Sequence, residues 1–195
     1  MTAPPPQRHV DADRRLPPAM PVSFTQYAYA VQPEDVTRDM GSLADRIRQI
    51  AHLTAGEAMH LPLGGNFFDA VVTASSAETT SAISALDDIQ RLGTDSWNAC
   101  GPVIEDPERA LLYWLVPPGT SERWQPHDYA TCFGRPHRIT LPPLARTKPP
   151  GIHWRRPCRA DRLVPVAPLR DQLDRLQPPP VPHDALLGPG LAAQP

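Results

Sequence analysis

The run "LLYWLV", residues 111–116, constrains the fold more than any other stretch of the chain. In a strand, successive side chains point to opposite faces. Six consecutive apolar residues therefore need a cover on both faces, which predicts a strand central in its sheet. "GPVIED" precedes it across "PER", and the pair reads as a hairpin with Pro107 in the turn.

The rest of the chain supplies layers for that sheet. "EAMHLPL" and "NFFDAVVTA" read as short strands separated by Gly64-Gly65. "SSAETTSAISALDDIQRLG" reads as a helix, with Ser75 and Glu78 as a capping box and Gly93 as its stop. Ile83, Leu86 and Ile89 form its apolar stripe, and strand, helix, strand is the pattern of a βαβ unit. "YATCF" and "HRITLPP" read as a strand pair around Gly134. "PGIHWRRP" suits an edge strand, where prolines are tolerated. "VAPLRDQLDRL" is a last helix with Leu169, Leu173 and Leu176 on one side, and "PEDVTRDMGSLADRIRQIAHL" (33–53) an early one opened by Pro33. The predicted class is α+β, helices packed on a mixed central sheet.

Proline sets the boundaries. It accounts for 27 of 195 residues, and it crowds both ends. Residues 1–21 and 178–195 therefore read as disordered tails that bury too little surface to offset their ordering entropy. Residues 22–177 are left as one domain. The start of the chain lacks a basic flank followed by an apolar stretch, and no apolar run reaches the ~18 residues of a membrane span. These features predict a cytoplasmic protein without a membrane partner. Cys100, Cys132 and Cys158 are odd in number and widely spaced, unlike a secreted disulfide framework. One lysine against eighteen arginines points to a GC-rich genome, such as an actinomycete's.

The net charge of −2 conceals an asymmetry. Residues 1–122 carry 8 basic and 16 acidic side chains, whereas 123–177 carry 11 basic and 4 acidic. A basic third on an acidic body is the footprint of a polyanion-binding face, or else one half of an internally paired surface. The candidate nucleic-acid contacts are Arg135, Arg138, Arg146, Lys148, Arg155 and Arg156, with Arg159 and Arg162 beyond them. Phe133 and Trp154 are placed to stack on bases.

Other chemistries find little footing. "LGGN" precedes a strand and lacks the GxxxxGK[ST] of a phosphate loop, so it reads as a strand-entry turn. There is no GxSxG elbow for a nucleophilic serine. Cys132 lies near His127 and His137 in sequence, and His153 and Cys158 follow. Their spacing matches neither a CxxC nor an HxxxH zinc pattern, so no metal site is assigned.

The ordered series "LPLGGNFFDAVV…SAISALDDIQRLG…CGPVIED…ALLYWLVPPGT…YATCFGRPHRITLPPL…HWRRP", roughly residues 57–157, resembles the N-terminal domain of bifunctional DNA primase/polymerase proteins. The resemblance is nearest to short actinobacterial members of that family. It implies a role in DNA replication and a pair of Mg²⁺ or Mn²⁺ ions that clamp the attacking and leaving oxygens of nucleotidyl transfer. Polymerising members hold those ions with two acidic residues two apart on the first strand, a histidine on a later strand and an acid near the third. Here Asp69 takes the first acidic place, but Val71 stands in the second. "LLYWLVPPG" has no histidine, and "CFGRPHRITLPP" offers Arg135, His137 and Arg138 without a carboxylate.

A lone carboxylate cannot hold two divalent ions. The resemblance thus implies a degenerate primase–polymerase domain without cofactor, kept as a nucleic-acid or nucleotide binding module, with Asp69 vestigial and structural. Two alternatives remain open. One is an active metal-dependent nucleotidyltransferase with rearranged ligands around Asp69, Glu105 and Asp106, the last two of which otherwise read as part of a solvated turn. The other is an interaction protein or homodimer whose Pro-rich tails recruit partners and whose segment 21–32 adds a strand to a neighbour's sheet.

Overall fold

A computed structural model of the chain describes residues 49, 56–93, 101–157 and 163–193. Its elements in chain order are β1 (Met59–Pro62), β2 (Asp69–Ala74), α1 (Ala77–Gly93), β3 (Val103–Asp106), β4 (Leu111–Val116), α2 (Thr120–Arg123), β5 (Thr131–Phe133), β6 (His137–Leu141), β7 (His153–Arg156), α3 (Val166–Leu176), α4 (His183–Leu186) and β8 (Leu191–Ala193). The expected tail 1–21, segment 21–32 and helix over 33–53 lie outside the described residues, except Gln49, which is helical.

The apolar run sits where its composition demands. Every residue of β4 is buried, and β4 is the middle strand of a five-stranded sheet ordered β5-β2-β4-β3-β7. Leu111, Tyr113 and Leu115 face one core, with Val72, Ile104, Phe133 and Trp154. A second sheet, β1-β6-β8, closes that core with Met59, Ile139, Leu141 and Leu191. Leu112, Trp114 and Val116 face the other core, covered by Ala82, Ile83 and Leu86 of α1 and Leu169 and Leu173 of α3. The result is three layers, sheet on sheet on helices. Trp114 keeps its indole N–H satisfied inside by donating to Thr73 Oγ1 at 2.9 Å.

The α+β class holds, but the sheet expected to be mixed is antiparallel in every described pairing. β2 and β3 run the same way, as a βαβ unit requires, yet β4 is inserted between them. From β2 to β5 the order of elements is β-α-β-β-α-β, the split βαβ arrangement. The β3–β4 hairpin and the β7 edge strand form where the sequence places them.

Three local expectations fail. "YATCF" and "HRITLPP" do not pair with each other: β5 joins β2, and β6 joins β1, so the chain changes sheets at Gly134–Pro136. The helix cap is Ser76, whose backbone N–H donates to Thr79 Oγ1 at 2.9 Å, because Ser75 Oγ is spent on Glu105 Oε1 at 2.7 Å. On the same helix Ile89 is exposed, and Ala82 takes its place in the buried stripe.

The largest departure is the C-terminal end. Residues 178–195, expected to be a disordered tail, instead contribute α4 and β8. Leu186 and Leu191 are buried in the core between the sheets, and β8 pairs with β6. Proline density misleads here because the segment needs few hydrogen bonds of its own. It docks by apolar side chains and by Thr140, whose N–H donates to Gly190 O (2.8 Å) and whose Oγ1 donates to Pro189 O (2.6 Å).

Candidate functional site

Asp69 opens β2 immediately after the chain crosses from one sheet to the other. Gly64 and Gly65 make the crossing with φ of +75° and +66°, a left-handed conformation that favours glycine. Gly64 N–H donates to Phe68 O (2.8 Å), closing the turn and setting Asp69 at the strand's first position, opposite Val116 of β4.

The carboxylate is fully buried. Its Oδ2 accepts the Ser121 backbone N–H at 2.7 Å, so Asp69 satisfies one of the orphan donors in the first turn of α2. Its Oδ1 has no hydrogen-bond partner. Burial raises the Asp69 pKa above its ordinary value, the bond from Ser121 opposes the rise, and Glu122 adds to it.

Close packing around the carboxylate depends on missing side chains. A Cβ on Gly134 would collide with Ser121 Oγ and approach Asp69 Oδ1 to 3.1 Å. A Cβ on Gly65 would come within 2.7 Å of Arg135 Nη2, and one on Gly64 within 3.0 Å of Arg135 Cγ. The Arg135 side chain therefore lies along the glycine pair at Asp69's end of the sheet.

The residues around Asp69 do not fit a pair of divalent ions. Val71, two positions on, is buried in the helix-side core. Glu105 lies opposite Leu112, four β4 positions from Val116, which is about 13 Å along the strand at ~3.3 Å per residue. Paired metals sit roughly 4 Å apart. Glu105 is also committed elsewhere: it accepts from Ser75, with His153 Nε2 at 3.5 Å and Arg155 Nε at 3.9 Å. Far from being a solvated turn, Glu105 and Asp106 belong to β3, and Asp106 is 3% exposed. Among the described residues no three His, Cys, Asp or Glu side chains converge as metal ligands would.

Nucleophilic chemistry at Cys132 fares no better. Burial pushes its thiol pKa well up, and the Asp69 charge adds to the rise, so the reactive thiolate is suppressed. His127 lies apart in a separate cluster: it stacks on Trp124, and its Nδ1 accepts the Tyr129 N–H at 3.1 Å. Cys100 and Cys158 lie outside the described residues.

The six basic candidates divide by position. Arg135 stands at the Asp69 end, and Arg138, on the neighbouring strand β6, donates to His60 O at 2.9 Å. Arg155 is beside Glu105, and Arg156 is ion-paired with Asp87 of α1. These two are partly neutralised within the fold. Arg146 and Lys148 are exposed on the loop before β7. Arg159 and Arg162 lie outside the described residues. Phe133 and Trp154, expected to stack on bases, are 6% and 1% exposed and belong to the core. Trp154 spends its indole N–H on Pro142 O at 2.9 Å.

Sequence reasoning missed Ser121, the partner that gives Asp69 its role. Gly119-Thr120-Ser121 signals a turn, but no local pattern aims that N–H at a residue 52 positions earlier.

No protein-family model, no curated protein and no solved structure matches the chain. Among the described residues, no helix is long and apolar enough to cross a membrane.

Proposed function

We propose that the chain is a primase–polymerase-like domain without polymerase chemistry, acting as a binding module for single-stranded nucleic acid or nucleotide phosphates. The supporting observation is the state of Asp69. The one acid at the first catalytic place of the resembled family is wholly buried and bonded to the α2 backbone, while Arg135 stands beside it on the Gly64–Gly65 turn. With its single acid buried and bonded, the exposed Arg135 guanidinium is the group left there to attract a phosphate. The split βαβ topology agrees with the order of elements in the resemblance, but topology by itself assigns no activity. Both faces of the five-stranded sheet are covered, so bases do not stack on it, and contacts run through Arg135 and Arg138 at the strand ends.

Fluorescence anisotropy with a labelled single-stranded oligonucleotide tests this reading. Binding is expected at low salt and weakens as salt rises, because each phosphate contact releases a counterion. Arg135→Ala with Arg138→Ala should flatten the slope of log affinity against log salt by about 1.4, at ~0.7 per contact on a single strand. No binding at low salt, or an unchanged slope in the double variant, overturns the proposal.

A further inference from the structure

The segment that joins α2 to β5, residues 124–130, is fastened to α3 by two side chains. Arg170 of α3 lies over the Trp124 ring, 5.2 Å from its centroid, and donates from Nη1 to Gln125 O and from Nη2 to Pro126 O, both at 3.0 Å. His127 is the second fastening. Its side chain is 1% exposed, its ring stacks on Trp124, and the Tyr129 ring meets it edge-on.

The hydrogen bonds around this ring fix where its protons sit. Nδ1 accepts the Tyr129 backbone N–H at 3.1 Å, so Nδ1 holds a lone pair and the neutral ring carries its one N–H on Nε2. A second proton has only Nδ1 to occupy, the atom that already accepts from Tyr129. Two donors would then face each other, and the bond must break. On the far side of the ring, Nε2 is buried without a hydrogen-bond partner, although Asp174 Oδ1 lies 3.2 Å away on a side chain that is 62% exposed. A small turn of either side chain would align that carboxylate with an imidazolium. The Trp124 indole N–H is another buried donor without an acceptor, which places this segment toward the low end of local stability.

Asp174 and Arg170 face His127 from α3, and Asp128 follows it in the chain. Burial is the largest influence and opposes a charge on the ring, as does the Arg170 guanidinium; the two carboxylates and the Arg170 backbone carbonyl favour one. The balance leaves the ring neutral at neutral pH and charged only in acid.

We propose that His127 is a proton-operated clasp. Neutral, it holds the turn 127–129 closed through the Tyr129 N–H. On taking one proton from solvent it releases that N–H and turns to the Asp174 carboxylate. Residues 127–129 then open locally, while Arg170 keeps its hold on Gln125 and Pro126. The core between the sheets contains none of these residues and stays closed. The clasp is independent of the phosphate-binding reading, because none of its groups is a proposed phosphate contact.

Imidazole ¹⁵N NMR and amide hydrogen exchange on the full chain, from about pH 7.5 to about pH 5, test the proposal across the range where histidine changes charge. At the upper end the His127 spectrum should show a proton on Nε2 and none on Nδ1. As the ring gains its charge, the protection of the Tyr129 amide relative to a free amide at the same pH should fall at least about tenfold, the loss of one hydrogen bond. The amides of β4 should keep theirs. Asp174→Asn, a change at an exposed side chain, should move the transition to lower pH, because an anion that favours the charged ring is gone. His127→Gln should show no transition. A proton on Nδ1 at the upper pH, a ring that stays neutral throughout, Tyr129 protection that holds while the ring titrates, or an unshifted transition in Asp174→Asn overturns the clasp. The spectra of the unaltered chain decide the matter even if His127→Gln does not fold.

Discussion

Replacing Asp69 separates a structural carboxylate from a retained catalytic one. Asp69→Ala removes the acceptor that lies 2.7 Å from Ser121 N, leaving a buried donor unsatisfied. An orphaned buried N–H costs about 1–3 kcal/mol. For a chain of this size each kcal/mol moves the melting temperature by about 2–4 °C. Asp69→Ala should therefore melt roughly 2–12 °C below the unaltered chain. Asp69→Asn keeps an oxygen for Ser121 and removes the buried charge, so it should melt at or above the unaltered chain at neutral pH.

The pH dependence has a definite sign. Folding raises the Asp69 pKa above 3.8, so the fold disfavours the ionised form. That penalty grows as pH rises above the unfolded value and is absent below it, where the group is protonated in both states. The advantage of Asp69→Asn should therefore shrink as pH falls and vanish below 3.8. Thermal denaturation of the three proteins across this range is the assay. An Asp69→Ala variant as stable as the unaltered chain, or more so, refutes the reasoning. That outcome would mark a carboxylate kept at a cost in stability for the sake of activity.

Three other outcomes follow from the fold. Gly101→Ala should prevent stable folding or cost more than about 2 kcal/mol, since Gly101 has φ +77° and a Cβ there would lie 2.5 Å from Val164 N; circular dichroism and melting check it. Deleting residues 181–195 should expose the core between the sheets, at about 1.5–3 kcal/mol for each of Leu186 and Leu191, and be seen as a lower melting temperature and new dye binding; unchanged melting would restore the tail. His127 should make the fold acid-sensitive. Burial lowers its pKa below 6.5, and the nearby Arg170 charge adds to this, while Asp174, 3.2 Å from Nε2 but off the line a hydrogen bond needs, opposes it. Its contribution is whole above pH 6.5 and is lost as pH falls below that value, so a His127→Gln variant should show a flatter melting profile between pH 7 and 5.

How far the sequence was legible depended on whether the signal was local. The central position of β4 follows from six apolar residues in a row, and the β3–β4 hairpin from the turn between them. α3 follows from leucines at helical spacing. What stayed hidden depends on distant partners. Nothing near Gly134 shows that the strands before and after it join different sheets. Nothing in a proline-rich ending shows that Leu186 and Leu191 find a core to fill. At the site, the isolation of Asp69 was readable, because Val71 has no ligand atom and β4 has no histidine. Its bond to Ser121, the burial of Trp154 and the strand placement of Asp106 were not, because each is set by packing between elements far apart in the chain.

The most direct test of lost chemistry is primer extension with Mn²⁺, run on the unaltered chain and on Asp69→Ala under low-salt conditions where single-stranded DNA binds. The expected result is background synthesis by both proteins, with DNA retained by both. Template-directed product from the unaltered chain that disappears in Asp69→Ala would show a working polymerase and contradict the account.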